Sequence, residues 1–326
     1  MTGQLKLFMA PMAGITNRVF RALVREFGAD YTCTEMVSVQ GLIHGNRKTF
    51  SLLDLQNKED AGIQLFGRTP GDFIKAFQII EMKIKSQFID INMGCPVPKI
   101  VKGGMGAALL REPRLAEKIV KTLVREVNVP VSVKIRLGWN PEEKTGGEVA
   151  LRCQDAGASW ITVHGRTRDQ FYSGNADWNE IAAIQEKLEI PVVANGDVFS
   201  ARDALALSQK TACRMIMVGR GALGNPWIFR QIRTLENGEK TSIPGKEEIM
   251  EVLKKHINGL ICLRGSEKRA VREMRKHLGW YIKGLPGARE VRKDLVRIEK
   301  ARDVQELLAA FLSKSEKGKN EAEDQT

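Results

Sequence analysis

A chain of 326 residues, 43% hydrophobic and 28% charged, has the make-up of an ordinary soluble globular protein, long for one core and short for three. A net charge of +12 and a pI of about 9.5 weigh against an enzyme of small neutral metabolites and for a polyanionic partner, nucleic acid or an anionic membrane. No stretch is apolar enough to span a bilayer and the first residues, MTGQLKLFMAPMAG, lack a secretory signal, so the expected location is the cytoplasm.

Short apolar, β-branched runs recur at 7–12, 30–36, 61–67, 88–94, 129–138, 159–166, 190–197 and 213–221. Each reads as a strand buried on both faces, as parallel strands are. Helix-like segments lie between them. TNRVFRALVREFG sets Val19, Phe20, Leu23, Val24 and Phe27 along one helical face, and RLAEKIVKTLVREV does so with Leu115, Ile119, Leu123 and Val127. Ser200 is placed to cap the helix that begins SARDALALSQK. Eight strand–helix alternations in about 230 residues predict a (β/α)8 TIM barrel, with a doubly wound open sheet as the second choice.

A barrel collects its chemistry at the C-terminal strand ends. In order these carry Pro11, Met12 and Ala13; Glu35 and Met36; Gln64; Asn92 with Cys95; Lys134 with Arg136; His164 with Arg166; Asn195, Gly196 and Asp197; and Gly219, Arg220 and Gly221. So many polar residues at one rim predict a site. Glycines in the last two loops, with Arg220, suit a phosphorylated ligand. Lys134, inside the apolar strand VSVKIRL, needs an anion or an acceptor, either a barrel carboxylate or charge on a cofactor or enolate. The five cysteines, Cys33, Cys95, Cys153, Cys213 and Cys262, form no C-x-x-C pair, which argues against a metal site and for reduced thiols. Cys95 differs from the others because it precedes a glycine-rich loop. A free thiol titrates at about 8.5, so near neutrality it still holds its proton and can serve as an acid. Gly103, Gly104 and Gly106 are expected to let that loop open and close.

The character changes after residue 238. Residues 246–300 hold 15 Lys/Arg against 8 Asp/Glu, a net +7 (15 − 8). Helical stripes run through Ile249, Leu253, Ile257 and Leu260, and through Val271, Met274, Leu278 and Ile282. Arg269, Arg272, Arg275 and Lys276 crowd beside the second stripe, a pattern that predicts a nucleic-acid footprint on a helical bundle. The expected division is a barrel at 1–238, a helical domain at 239–312 and a disordered tail at 313–326.

Together these residues resemble the tRNA-dihydrouridine synthases over nearly the whole chain. The resemblance runs through APMAGITNRVFR, EMVS, IQLFG, INMGCPVPKIVKGGMGAALL, VSVKIRLGW, ITVHGRTRDQFYSGNADW, PVVANGD, VGRGALGNPWIF and EMRKHLGWYIKGLPGAR, with details nearest the bacterial B-type members. It implies an FMN-binding barrel with a helical tRNA-binding domain, reducing the C5–C6 double bond of a uridine in tRNA, with NADPH recharging the flavin. By the same resemblance Pro11, Met12, Ala13, Gln64, Lys134, His164, Asn195, Gly196, Asp197, Gly219 and Arg220 would contact the cofactor. Asn92 would face the uracil, Arg166 would line the substrate pocket, and Cys95 would be the general acid. A monomer without metal is expected. The rival readings are a flavin oxidoreductase of free pyrimidines, of the dihydroorotate or dihydropyrimidine type, and a catalytically silent RNA-binding scaffold.

Overall fold

Nine short strands are defined in the computed structural model, which describes residues 3–54 and 61–323, with side chains through Ser313. They are β1 (Lys6–Met9), β2 (Thr32–Cys33), β3 (Val37–Ser38), β4 (Ala61–Phe66), β5 (Ile89–Met93), β6 (Val131–Arg136), β7 (Trp160–His164), β8 (Val192–Asn195) and β9 (Met215–Val218). Every ladder is parallel, in the order β1-β9-β8-β7-β6-β5-β4-β2, with β3 also on β4. A bridge between Phe8 and Tyr31 closes the ring, with Asp30 N donating to Leu7 O and Met9 N to Tyr31 O. The (β/α)8 barrel expected from the alternation is therefore present.

One predicted strand differs. The run at 30–36 divides into β2 and β3 because a side chain enters the ladder. Thr34 Oγ1 accepts from Gln64 N (3.2 Å) and donates to Glu35 O (2.8 Å), so the backbone pairing lapses there.

The helix Arg18–Glu26 buries Phe20, Leu23 and Val24, and Asn17 caps it by accepting from Phe20 N. Ser200 caps Ala201–Thr211 in a reciprocal box with Asp203. The floor of the barrel is aromatic. Phe8 stacks on Tyr31 at 4.6 Å, and Phe88 meets Trp160 edge-on at 5.0 Å. The Phe88 ring fits only because residue 62 is glycine, since a Cβ there would collide with it.

Four helices follow the barrel: Lys246–Arg264, Glu267–Tyr281, Ala288–Leu295 and Ala301–Glu323. Both predicted stripes point inward, with Leu253, Ile257, Leu260, Val271, Met274, Leu278 and Ile282 buried. The first of these helices lies on Arg18–Glu26, where a Cβ at Gly259 would sit 2.6 Å from Val19 Cγ1. Glu273 ties the two parts together, accepting from Arg264 and from Asn17 Nδ2 (3.1 Å). The last helix runs past residue 313 to Glu323, through a Lys- and Glu-rich stretch that also holds Ser315, Gly318 and Asn320. No helix among the described residues is long and apolar enough to cross a membrane.

Candidate active site

A cavity of about 420 Å3 opens at the C-terminal ends of the strands. Pro11, Met12, Ala13, Gln64, Asn92, Cys95, Lys134, His164, Asn195, Gly196, Asp197, Gly219 and Arg220 all line it. Arg166 does not.

A hydrogen-bond chain of fixed direction runs under one wall. Asp90, buried on β5, accepts from Ser132 Oγ (2.7 Å) and from Gln64 Nε2 (2.7 Å). An ionised carboxylate only accepts, so the Gln64 amide must turn its oxygen the other way. That oxygen takes Asn92 Nδ2 (2.9 Å), which leaves Asn92 Oδ1 to accept from Cys95 N (2.9 Å) and Gly94 N (3.2 Å). Asn92, which lines the cavity, thus also has a structural task. Its amide is occupied in holding the cysteine loop.

Arg136 grips the same loop from β6. It donates through Nε to Gly94 O (2.9 Å) and through Nη1 to Thr167 O (2.8 Å), and it lies over the Tyr172 ring. Burial lowers its guanidinium to about 10. The glycines after Cys95 also serve this grip. Gly106, at φ +61, comes so close that a Cβ would sit 2.8 Å from Cys95 O. Arg68 donates to Gly104 O and pairs with Glu112. These contacts hold the cysteine loop in place. Cys95 is 9% exposed, and burial lifts its thiol above the ordinary value, outweighing the Val97 backbone contact and the Arg136 charge.

Lys134 donates to Asn195 Oδ1 (3.0 Å), and Asn195 in turn donates to Met217 O (2.8 Å). Its hydrogen-bond partner is therefore neutral. Burial, then repulsion from Arg136, lowers the ammonium to about 8 against the pull of Asp90. His164 is pushed well below the usual imidazole range by burial, and further by Lys134, Arg136, Arg166 and Arg220. It is a neutral ring near pH 7.

Arg166 is 1% exposed. It donates to Ser173 O (3.1 Å), Gly174 O (2.7 Å) and Asp197 Oδ2 (2.7 Å), so it pins the loop after β7 and stands behind the cavity wall. Asp197 also accepts from Arg220 Nη2 (2.9 Å) and Ala176 N (2.7 Å). Burial would raise this carboxyl, but the Arg166 hydrogen bond and the charges of both arginines outweigh it and hold it low. Asp197 therefore orients Arg220, whose guanidinium sits 4.8 Å from the Tyr172 ring and 5.2 Å from Phe199. Gly219 faces open space. A Cβ there would meet only Ala10 Cβ, at 3.6 Å.

The residues that sequence reasoning missed are Asp90 as the anchor of the chain, and the rim aromatics Phe171, Tyr172 and Phe199, which are 38%, 54% and 50% exposed. The signal for two of them was the Phe-Tyr pair inside the polar loop RDQFYSG.

The four basic side chains expected to act together have different surroundings. Arg272 pairs with Glu299 (2.6 Å). Arg269 is exposed. Arg275 donates to Ile298 O (2.9 Å), and Lys276 reaches Gly14 O beside the cavity. No cluster of three metal-ligating side chains occurs among the described residues.

The dihydrouridine synthase (Dus) family profile matches residues 8–316. A probable tRNA-dihydrouridine synthase of Rickettsia conorii is 39% identical over 308 residues, 94% of this chain and 92% of that one. A tRNA-dihydrouridine synthase B of Pseudomonas aeruginosa is 40% identical over 296 residues, 90% of this chain and 89% of that one. Among solved structures, histamine dehydrogenase from Rhizobium sp. 4-9 superposes with a TM-score of 0.54 at 12% identity, covering 94% of this chain and 62% of that one, a likeness of fold alone.

Proposed function

The chain belongs to the dihydrouridine synthase family, and on that premise we propose that it is a cytoplasmic tRNA-dihydrouridine synthase that uses FMN and NADPH to reduce the C5–C6 double bond of specific uridines in tRNA. Residues 1–238 would hold the flavin and the uridine, and residues 239–312 would hold the RNA.

Cys95 carries this assignment. Reduction across C5–C6 needs a proton at C5, and a buried thiol kept protonated and fastened by Asn92, Gly94 and Arg136 is a suitable donor. The other cavity residues fit a flavin mononucleotide. Gly219 leaves room for close approach to the backbone, Arg220 is aimed by Asp197, and Lys134 is a buried cation whose hydrogen-bond partner is a neutral amide. A group bearing a phosphate and a ring that takes up negative charge answers both cations. When bound, the flavin supplies the hydride that uracil takes at C6. Charge arriving on the uracil O4 is then relieved as Cys95 Sγ gives its proton to C5. His164, held neutral, offers hydrogen bonds without adding charge. Pro11, Met12 and Ala13 close the cavity from the β1 side and help exclude water. A uridine stacked in folded RNA cannot enter, so it must be extruded into the mouth.

The test is to purify the protein, record its visible absorption and count dihydrouridine after mixing with NADPH and unmodified tRNA. A yellow protein that forms dihydrouridine supports the proposal. A protein inert on tRNA but active on free uracil or orotate would replace it with the metabolic rival.

A further inference from the structure

Beside the barrel mouth, the helices Glu267–Tyr281 and Ala288–Leu295 border a groove of about 440 Å3. Arg275, Lys276, Lys283 and Arg292 line it together with Trp280. Three other cations on the C-terminal helices are matched by carboxylates. Arg264 faces Glu273, while Lys268 and Arg272 share Glu299. The four in the groove are not matched, since none lies in an ion pair among the described residues. Arg275 and Arg292 donate to the neutral carbonyls of Ile298 and Gly279, and Lys276 donates to that of Gly14. The Nε of Arg275 is buried with no hydrogen-bond partner. Four like charges around one concavity repel each other, and an anion in the groove relieves that repulsion.

The groove and the active-site cavity share one face. Lys276 lines the groove while its ammonium rests on the carbonyl of Gly14, the residue after Ala13 of the cavity wall. The end of the helix sits on the loop after β9, where a Cβ at Gly224 would collide with the Trp280 backbone.

Cations set around an aromatic side chain form the pairing that binds single-stranded nucleic acid, phosphate to charge and base to ring. Given the function proposed above, we propose that this groove is a second nucleotide site, seating one unpaired nucleotide of the RNA near the target uridine. Its base packs on Trp280 and its phosphate sits among the four cations. The groove is a separate place from the barrel cavity and holds RNA without reacting with it.

The test uses the full-length protein, fluorescein-labelled unmodified tRNA and a salt series. Trp280→Ala should weaken binding about tenfold with the salt slope unchanged, because stacking is lost and no phosphate contact is. Trp280→Phe keeps a ring and should stay within about threefold of the parent. The double reversal Lys283→Glu with Arg292→Glu should weaken binding more than about tenfold and reduce the salt slope by about two. Lys121→Glu, exposed on the outer barrel helix Pro113–Glu126, is a single-reversal control and should change neither. A double reversal no worse than Lys121→Glu would overturn the proposal, as would equal losses in Trp280→Ala and Trp280→Phe. Parent protein that forms no dihydrouridine at all would instead remove the function on which the groove rests.

Discussion

The barrel mouth and the base of the C-terminal helices bury polar groups in opposite ways. At the mouth, Asp90, Gln64, Asn92, Lys134, Arg136, Asn195 and Asp197 each have a hydrogen-bond partner between 2.7 and 3.0 Å. Under the helices, His256 and His277 meet edge-on at 4.6 Å and flank Phe20. His256 Nδ1 lies 3.3 Å from the Tyr281 hydroxyl, but its Nε2 and both nitrogens of His277 have no partner among the described residues. Burial lowers His256 to about 4 against the pull of Glu273, and burial with His256 and Lys276 lowers His277 to about 2. Polar groups placed for chemistry are held in a directed network, whereas these two histidines serve as flat neutral surfaces. The first arrangement is sensitive to which atom donates, and the second to protonation.

The largest effect should come from the mouth. Lys134→Met removes a buried cation from the cavity and should lower the rate of dihydrouridine formation about 10²–10³-fold, with weaker flavin retention after gel filtration. An unchanged rate would mean that the ammonium is a structural donor to Asn195 and nothing more.

Next is the anchor of the chain. Asp90→Asn keeps the shape but lets the amide present either end to Gln64, so Asn92 and the Cys95 loop lose their fixed direction. Turnover should fall on the order of tenfold, since a buried amide left unpaired costs about 1–3 kcal/mol. Flavin content and tRNA affinity should be unchanged. Equal loss of all three would show that Asp90 only stabilises the fold.

The helical base should respond to pH. Unfolded histidines take up protons below about pH 6.5, while the buried pair does not until about 4 and about 2. Stability from this pair is therefore complete above about 6.5 and falls as the pH drops toward those values, by on the order of 2 kcal/mol per histidine at pH 5. Urea midpoints at pH 7 and pH 5 measure it, and His277→Phe should shrink the difference between them. A midpoint insensitive to pH would mean that the pair is hydrated.

Much of this was legible in the chain. Parallel strands covered on both faces read as unbroken apolar runs, so seven of the eight predicted runs appear as single strands, and barrel topology brought their polar ends to one rim. The second strand was not legible, because a Thr34 side chain replaces a backbone partner. The pairing of Arg166 with Asp197 joins residues 31 apart, and no local pattern marks it. The same holds for the groove, which needs Arg292 of the next helix folded back beside Trp280 and Lys283. Charge counting found the basic region but not which cations Glu299 and Glu273 neutralise. The close approach of Gly106 to the Cys95 carbonyl was also not legible, because it depends on how the loop folds back on itself.

The most direct measurement separates the two halves of the reaction in Cys95→Ala. Flavin bleaching on adding NADPH is followed first, then dihydrouridine appearing when unmodified tRNA is mixed with the reduced enzyme. The account predicts bleaching at the parent rate and dihydrouridine formation slowed at least about a hundredfold. Dihydrouridine formed at the parent rate would contradict it, and the proton would have to come from another group.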